Sequence, residues 1–227
     1  MNPLPPSPCE YNMKISPFVV LIALTFPLVP LMGGPAPGNS TLIVSETFEG
    51  AELGEDWTLN TGAWEIVDGT LHVSEIPADN HSAAARRVAE TGNAVYEVRF
   101  RFTGEGEAFH LGFDPAPGEL DKKGHLFSVI VTPDSWKLMK HIDKARPKED
   151  PNEVLVVEKK SFGVGEWHTL RVTTWGPYVT ATIDGEDGLK ASHPTFGIMK
   201  PAVVFRCIGD GVELDDLKVW AEKNPGS

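Results

Sequence analysis

The stretch AVYEVRFRFT, from Ala94 to Thr103, decides the fold class of this 227-residue chain. Its apolar and polar residues alternate with a period of two, which is the pattern of a β-strand with one buried and one exposed face. The apolar face carries four side chains: Tyr96, Val98, Phe100 and Phe102. The other face carries three charged ones: Glu97, Arg99 and Arg101. The stretch therefore predicts a strand that packs on a core.

The same alternation recurs around short turn signals elsewhere in the chain. Asp68-Gly69, Pro133-Asp134 and Gly176-Pro177 each separate two apolar-alternating runs, as expected for hairpins. The 22 glycines and 19 prolines supply many further turns, and no long helical period is present. About a dozen short strands with tight turns predict an all-β fold over residues 42–222, either a β-sandwich or a barrel.

The first 36 residues have a different composition. Phe18–Met32 reads FVVLIALTFPLVPLM, with Lys14 before it and the small residues of 33–36 after it. This layout predicts a signal peptide over residues 1–36 and a secreted or periplasmic location. The apolar run is short for a membrane span and contains two prolines, so we expect no span after cleavage; the alternative is an uncleaved anchor. Residues 223–227 are expected to form a flexible tail.

Charge and cysteine content narrow the classes of partner. The formal net charge is −12, which argues against nucleic acid and anionic membranes and favours neutral or cationic partners. Removal of the leader would leave Cys207 as the single cysteine, so the domain is expected to depend on core burial, without an internal disulfide. The sequence carries no signal for an oligomeric state.

Three phrases of the sequence carry a family resemblance. They are ETFEGAELGEDWTLNTGAWEIVDGTLHVSE over 46–75, GEWHTLRVTTWGPYVTATIDGE over 165–186, and VELDDLKVW over 212–220. In this order they resemble the 3-keto-disaccharide hydrolase domain family, a group of concanavalin A-like sandwiches, and in particular its short secreted members from planctomycete-type bacteria. The resemblance implies a concanavalin A-like jelly-roll β-sandwich of two antiparallel sheets and a role in exported carbohydrate metabolism.

The closing phrase also contains paired carboxylates, Glu213 and Asp215, on one strand. Retaining glycosidases of the laminarinase type carry Glu-x-Asp-x-x-Glu on a strand, because two carboxyl groups must lie close together on one face. The third acid would fall at Lys218 or Leu217, so the set is incomplete. The alternatives are a purely structural closing strand and a structural Ca²⁺ site. The candidate Ca²⁺ ligands are Glu46, Glu49, Asp215 and Asp216.

A sugar-binding face is the other hypothesis. Sugars are recognised by planar polar side chains together with an aromatic platform, for which Trp136 or Trp175 is the candidate. The proposed substrate-binding residues are Glu97, Arg101, His110, Asp114 and Trp136. The alternative for the charged residues of 97–101 is a solvated outer face.

Chemistry on a 3-keto sugar needs one base and one group that stabilises an enolate, because the ketone acidifies the neighbouring proton. His125 or His141 is the predicted base, and Arg99 or Lys140 the predicted electrostatic partner. The sequence thus predicts an exported carbohydrate-active domain that acts on 3-keto-glycosides. The alternatives are a non-catalytic carbohydrate-binding module and an interaction domain of the cell envelope.

Overall fold

The computed structural model describes Met1, residues 40–186 and residues 188–222. The predicted signal peptide, apart from Met1, and the predicted tail over 223–227 lie outside the described residues. Within the described residues, no helix is of sufficient length and apolar character to span a membrane.

The described residues form thirteen strands and two short 3₁₀ turns. The turns are Pro77–Asp79 and Pro194–Gly197. The strands are β1 Ser40–Glu46, β2 Trp57–Thr61, β3 Ala63–Val67, β4 Thr70–Ser74, β5 Ala83–Thr91, β6 Ala94–Phe113, β7 Phe127–Thr132, β8 Ser135–Lys140, β9 Glu153–Lys159, β10 His168–Trp175, β11 Tyr178–Ile183, β12 Leu189–Ser192 and β13 Lys200–Glu222. All the pairings between them are antiparallel. The three predicted hairpins are confirmed as β3–β4, β7–β8 and β10–β11.

Two long strands, β6 and β13, belong to both layers of the sandwich. Their ends in the ranges 108–113 and 200–208 pair with each other and extend outward as β2-β5-β13-β6-β7-β8-β9, which we call the first sheet. Their other halves form the second sheet, ordered β12-β11-β10-β6-β13-β4-β3, with β1 beside the end of β13. Hydrogen bonds therefore run continuously from one layer into the other.

Glycine allows the change of layer. Where β6 and β13 pass between the sheets, their register shifts at 208–209 and again at 210–212. Gly211 has a φ of +121°, and a Cβ at this position would lie 1.8 Å from the carbonyl oxygen of Thr103. Only glycine fits such a close backbone approach at positive φ, so the bulge bends both strands at this point.

The core lies between the two sheets. The predicted apolar face of β6 is confirmed, because Tyr96, Val98, Phe100 and Phe102 are all buried. Phe100 on the second-sheet half of β6 lies 5.5 Å, between ring centroids, from Phe109 on the first-sheet half. Cys207 is also buried in this core and is a free thiol whose pKa is raised by desolvation.

Candidate functional site

A groove of about 650 Å³ lies on the first sheet. Its floor consists of residues that alternate with core residues: Ala84 and Arg86 of β5, and Val204 and Arg206 of β13. Their neighbours Ala85 and Phe205 are buried in the core, so the groove occupies the opposite face of the sheet. Its other walls are formed by residues 114–115, residues 122–125, Lys144, Asn60, Thr61 and His81. Its volume is within the range of roughly 300–1,000 Å³ typical of small-molecule sites.

Backbone hydrogen bonds beyond the strand ends hold three polar residues side by side. The amide of Leu126 donates to the carbonyl of Phe113 at 2.8 Å, and the amide of His141 donates to the carbonyl of Leu126 at 3.0 Å. Asp114 follows Phe113 and His125 precedes Leu126 in the chain, while His141 itself donates the second of these bonds. The ladder therefore brings together three of the residues that the sequence predicted.

Asp114 and His125 form the central pair of the groove. Nδ1 of His125 lies 2.5 Å from Oδ1 of Asp114, while Nε and Nη2 of Arg86 donate to Oδ2 at 3.0 and 2.9 Å. Burial alone would raise the pKa of Asp114, but the His125 hydrogen bond and Arg86 outweigh it, and the pKa is lowered. Asp114 is therefore a carboxylate at neutral pH, and it directs Nδ1 of His125 inward. Within the described residues, Nε2 of His125 has no hydrogen-bond partner.

Behind His125 lies a small recess that contains two buried histidines. The His141 ring lies 5.4 Å from the His125 ring in an edge-on arrangement, and its Nε2 lies 2.7 Å from Oγ of Ser128. Burial is the main cause that lowers the pKa of His141 to about 4 and that of His110 to about 3. Nearby His125 and Arg206 lower the pKa of His141 further. Nearby Arg206 and His141 do the same for the pKa of His110. Both rings are therefore neutral at pH 7. Nδ1 of His110 is buried without a hydrogen-bond partner in the described part of the chain.

Lys140 does not reach the groove. It follows the buried parity of β8, with Trp136 and Leu138, and is 5% exposed. Its ammonium group pairs with Asp150 and donates to the carbonyl of Pro151 at 3.1 Å. The pairing with Lys140 and Lys122 lowers the pKa of Asp150 although burial, the largest contribution, raises it. Lys140 thus anchors the loop that contains Asp150, and this corrects its assignment as an electrostatic partner in catalysis.

Trp136 is also not part of a sugar-binding surface. It is 2% exposed, and a Cβ at Gly188, beside β12, would lie 2.6 Å from its ring. The indole therefore packs between the two sheets and has no free face for a sugar. Its core position corrects the prediction of a platform at Trp136. Trp175, the alternative platform, lies on β10 of the second sheet.

The charged face of β6 lies on the second sheet, away from the groove, and its charges are paired with side chains of the neighbouring strands β10 and β13. Arg99 pairs with Asp215 at 3.0 Å, and Nε of Arg101 donates to Glu213 at 2.5 Å. Both guanidinium groups also stack 4.6 Å from the ring of Trp167. Glu97 pairs with Arg171 at 3.0 Å. This corrects the assignments of Glu97, Arg99 and Arg101 to the site; the solvated outer face is what the structure shows.

The closing strand and the residues predicted to bind Ca²⁺ have structural roles in this fold. Leu217 and Val219 are fully buried, as expected of a closing strand, and Glu213 forms an ion pair with Arg101. Glu46 pairs with Arg87 at 2.7 Å, and Asp216 lies 3.5 Å from Arg99. In residues 40–186 and 188–222, no group of three or more His, Cys, Asp or Glu side chains is arranged to hold a metal ion. The Ca²⁺ set of Glu46, Glu49, Asp215 and Asp216 therefore does not converge.

Two arginines of the groove were not assigned to the site from the sequence. Arg86 and Arg206 lie on neighbouring strands, β5 and β13, and both point into the groove. The signal for Arg206 was present in the sequence: it is the charged residue of the strand VVFRC, between Phe205 and Cys207, which are both buried. A cation that interrupts a central apolar strand indicates a functional face.

Comparison with known proteins finds similarity at the level of the fold. No protein-family model matches the chain, and no curated protein matches it. Solved structures do. A carbohydrate-binding module, CBM66, from Bacillus subtilis has 17% identity and a TM-score of 0.51, covering 74% of this chain and 92% of that one. The endo-β-1,3(4)-glucanase SCLam of family GH16 has 13% identity and a TM-score of 0.62, covering 84% and 95%.

A third similar structure is a Bacillus subtilis protein of unknown function with a galectin-like fold, at 13% identity and a TM-score of 0.61, with 80% of this chain and 97% of that one covered. Identities this low establish the fold alone. The fold is an all-β jelly-roll sandwich of the concanavalin A-like kind, as the sequence predicted. What the chain does must be argued from its groove.

Proposed function

We propose that this chain is an exported carbohydrate-active domain that binds a sugar in the groove of the first sheet and cleaves 3-keto-glycosides by elimination. The observation that carries the proposal is the Asp114–His125 pair in the groove wall. A carboxylate that holds Nδ1 of a histidine leaves Nε2 as a base, and here Nε2 has no other partner among the described residues. Fold likeness to a carbohydrate-binding module and a glucanase supports the sugar class as an analogy.

The elimination step needs no oxidant and no second substrate, and water enters only in the later hydration. Nε2 of His125 removes the proton from C2, next to the C3 ketone, and the C–H electrons form an enolate with its charge on the ketone oxygen. Collapse of the enolate forms the C1–C2 double bond and breaks the C1–O bond. The aglycone leaves with one proton, and later addition of water at C1 gives the hydrolysis product. His125 returns its proton to the leaving group or to solvent.

Arg206 takes the place that Arg99 and Lys140 had in the sequence prediction. Arg206 lines the same groove as His125, and its charge, which no carboxylate of the described chain neutralises, would stabilise an enolate oxygen, while Arg86 holds Asp114 in place. His141 is the weaker candidate for the base, because it is 9% exposed and its Nε2 is hydrogen-bonded to Ser128. We therefore assign the base to His125 alone.

A non-catalytic binding module is the second candidate, on the analogy of CBM66. A module that binds sugar by stacking would need an aromatic platform. Among the described residues that line the groove, the histidines His81 and His125 are the aromatic ones. The lining is thus richer in charged groups than in stacking surface, which favours the enzyme.

The test is incubation of the purified protein with a chromogenic 3-keto-glucoside and with its unoxidised parent. We expect release of the aglycone from the keto sugar alone, and loss of a deuterium label from C2 to solvent. His125→Gln should slow both by roughly 10²–10⁴-fold. Cleavage of the parent would replace the elimination by ordinary glycoside hydrolysis. Cleavage of neither sugar would reject the enzyme and leave a binding module or an envelope interaction domain, which a glycan-binding screen separates.

Export is proposed from the sequence of residues 1–36. Expression with the native leader in a bacterial host should release a protein whose N-terminus, by Edman sequencing, falls after the small residues at 33–36. A full-length protein that stays in the membrane fraction would favour the uncleaved anchor.

A further inference from the structure

The groove has the opposite charge from the protein as a whole. The chain carries a formal net charge of −12, yet five basic residues line the groove and Asp114 is the one acid among the described lining residues. The basic residues are Arg86, Lys122, Lys123, Lys144 and Arg206. Overall charge predicted neutral or cationic partners, whereas the local charge at the groove favours an anion.

Two of these five cations are already neutralised within the fold. Arg86 pairs with Asp114 at 2.9 Å, and Lys122 pairs with Asp150 at 3.1 Å. Arg206, Lys123 and Lys144 form no ion pair with a carboxylate anywhere in the described chain. Lys123 and Lys144 are exposed at the rim and are held next to each other, since the Lys144 amide donates to the Lys123 carbonyl at 2.8 Å.

Arg206 is the notable member of this group. It lies on the central strand β13, in the floor of the groove, between Ala84 of β5 and His110 of β6. Its Nε donates to Oγ of Ser82, a neutral partner, and the nearby rings of His110 and His141 are neutral as well. A partly buried guanidinium without a counter-ion is costly, and an anion bound from outside would remove that cost.

We infer that the groove takes an anionic sugar: a carbohydrate that carries a carboxylate or a sulfate ester, held by Arg206 in the floor and by Lys123 and Lys144 at the rim. This rests on the proposed carbohydrate function and narrows its substrate class. A guanidinium can bind two acid oxygens at once, so Arg206 would fix the orientation of the sugar beside His125. The two lysines would add charge at the rim and attract the ligand over a distance set by the salt concentration.

The experiment compares matched oligosaccharides by isothermal titration. The probes are tetragalacturonate, its carboxyl-reduced neutral counterpart, a sulfated galacto-oligosaccharide of the same length, and inorganic sulfate. We expect a charged oligosaccharide to bind at least roughly tenfold more tightly than the neutral one, with the difference shrinking as salt rises from about 50 to about 300 mM. The carboxylated and sulfated probes identify which acid group the groove prefers.

Variants locate the effect. Arg206→Gln and, separately, the rim pair Lys123→Ala with Lys144→Ala should each remove most of the preference for the charged probe, and the exposed rim pair is a fallback if Arg206→Gln fails to fold. Lys148→Ala, which removes the same charge from the same loop outside the groove lining, should leave it unchanged. Equal affinity for charged and neutral probes, with turnover of 3-keto-glycosides intact, would overturn this inference alone. Inorganic sulfate binding as tightly as the oligosaccharides would overturn the sugar as ligand. No binding of any oligosaccharide together with no turnover would reject the proposed function as well.

Discussion

Asp114 Oδ1 lies 2.5 Å from Nδ1 of His125, although the two residues belong to opposite ends of the loop between β6 and β7. A second His–Asp pair exists on the second sheet, where Nδ1 of His168 lies 2.8 Å from Oδ2 of Asp184. Nε2 of His168 is buried without a partner in the described structure, whereas His125 is 30% exposed in the groove. The two pairs share their chemistry but differ in access, which makes one a control for the other.

Asp114→Asn should reduce the kcat for 3-keto-glycoside cleavage on the order of 10–100-fold and change KM little, because it weakens the orientation of the base but leaves it in place. His125→Gln should cost more, roughly 10²–10⁴-fold, because it removes the base. Steady-state kinetics on the chromogenic substrate measure both. Asp184→Asn is the matched control and should leave kcat unchanged; a similar loss there would show that the effect is structural.

Arg86→Ala and Arg99→Ala should separate the groove from the charged outer face. Arg86 lines the groove beside Asp114, so its loss should lower kcat/KM on the order of tenfold or more. Arg99 pairs with Asp215 on the other sheet and stacks on Trp167, so its loss should leave kcat/KM unchanged. If Arg99→Ala lowered turnover as much as Arg86→Ala, the site would have to include the second sheet.

Stability should fall as the pH drops below about 6.5. The pKa values of His110 and His141 are lowered to about 3 and about 4 in the fold, while both titrate near 6.5 when unfolded. Between those values the unfolded chain binds more protons, so the free energy of unfolding decreases with falling pH, by up to about 1.4 kcal/mol per pH unit for each histidine. Urea midpoints at about pH 7.5 and pH 5 measure this change.

In that experiment His141→Asn should show a smaller loss between the two pH values than the unmodified protein. Equal pH dependence of His141→Asn and the unmodified protein would mean that His141 is not buried as a neutral ring.

Trp136→Phe should lower stability and leave ligand binding intact. The indole is 2% exposed in the core, and replacing it leaves a cavity that costs about 1–3 kcal/mol, although the unpartnered Nε1 is removed with it. Thermal unfolding and titration with the same oligosaccharide measure the two properties. Weaker binding with unchanged stability would return Trp136 to the site as a platform.

The strand pattern was predictable because one side of each strand meets the core. Tyr96, Val98 and Phe100 alternate with charged residues, and all three are buried. The same rule could have placed Trp136, which has the parity of Leu138 on β8 and shares its burial. The prediction that Trp136 is a sugar platform relied on its residue type and placed it on the wrong side of the strand. The alternation along β8 correctly places its side chain in the core.

The groove was predictable only in part. His110, Asp114, His125 and His141 come together, His110 from within β6 and the other three from positions beside strand ends. Arg86 and Arg206 come from strands that are far apart in sequence and adjacent in space through the β5–β13 pairing. Alternation separates the two faces of a strand, but the register between distant strands, which decides whose charges meet, follows from packing of the whole sandwich.

The sharing of β13 between both sheets has a consequence for how the chain is made. This strand pairs with β1, β4, β5 and β6, so neither sheet is complete until residues 200–222 have been synthesised. Ser40 itself finds its strand partner only at Glu222. Most of this polypeptide is therefore synthesised before either sheet can close, and contacts this distant in sequence form slowly.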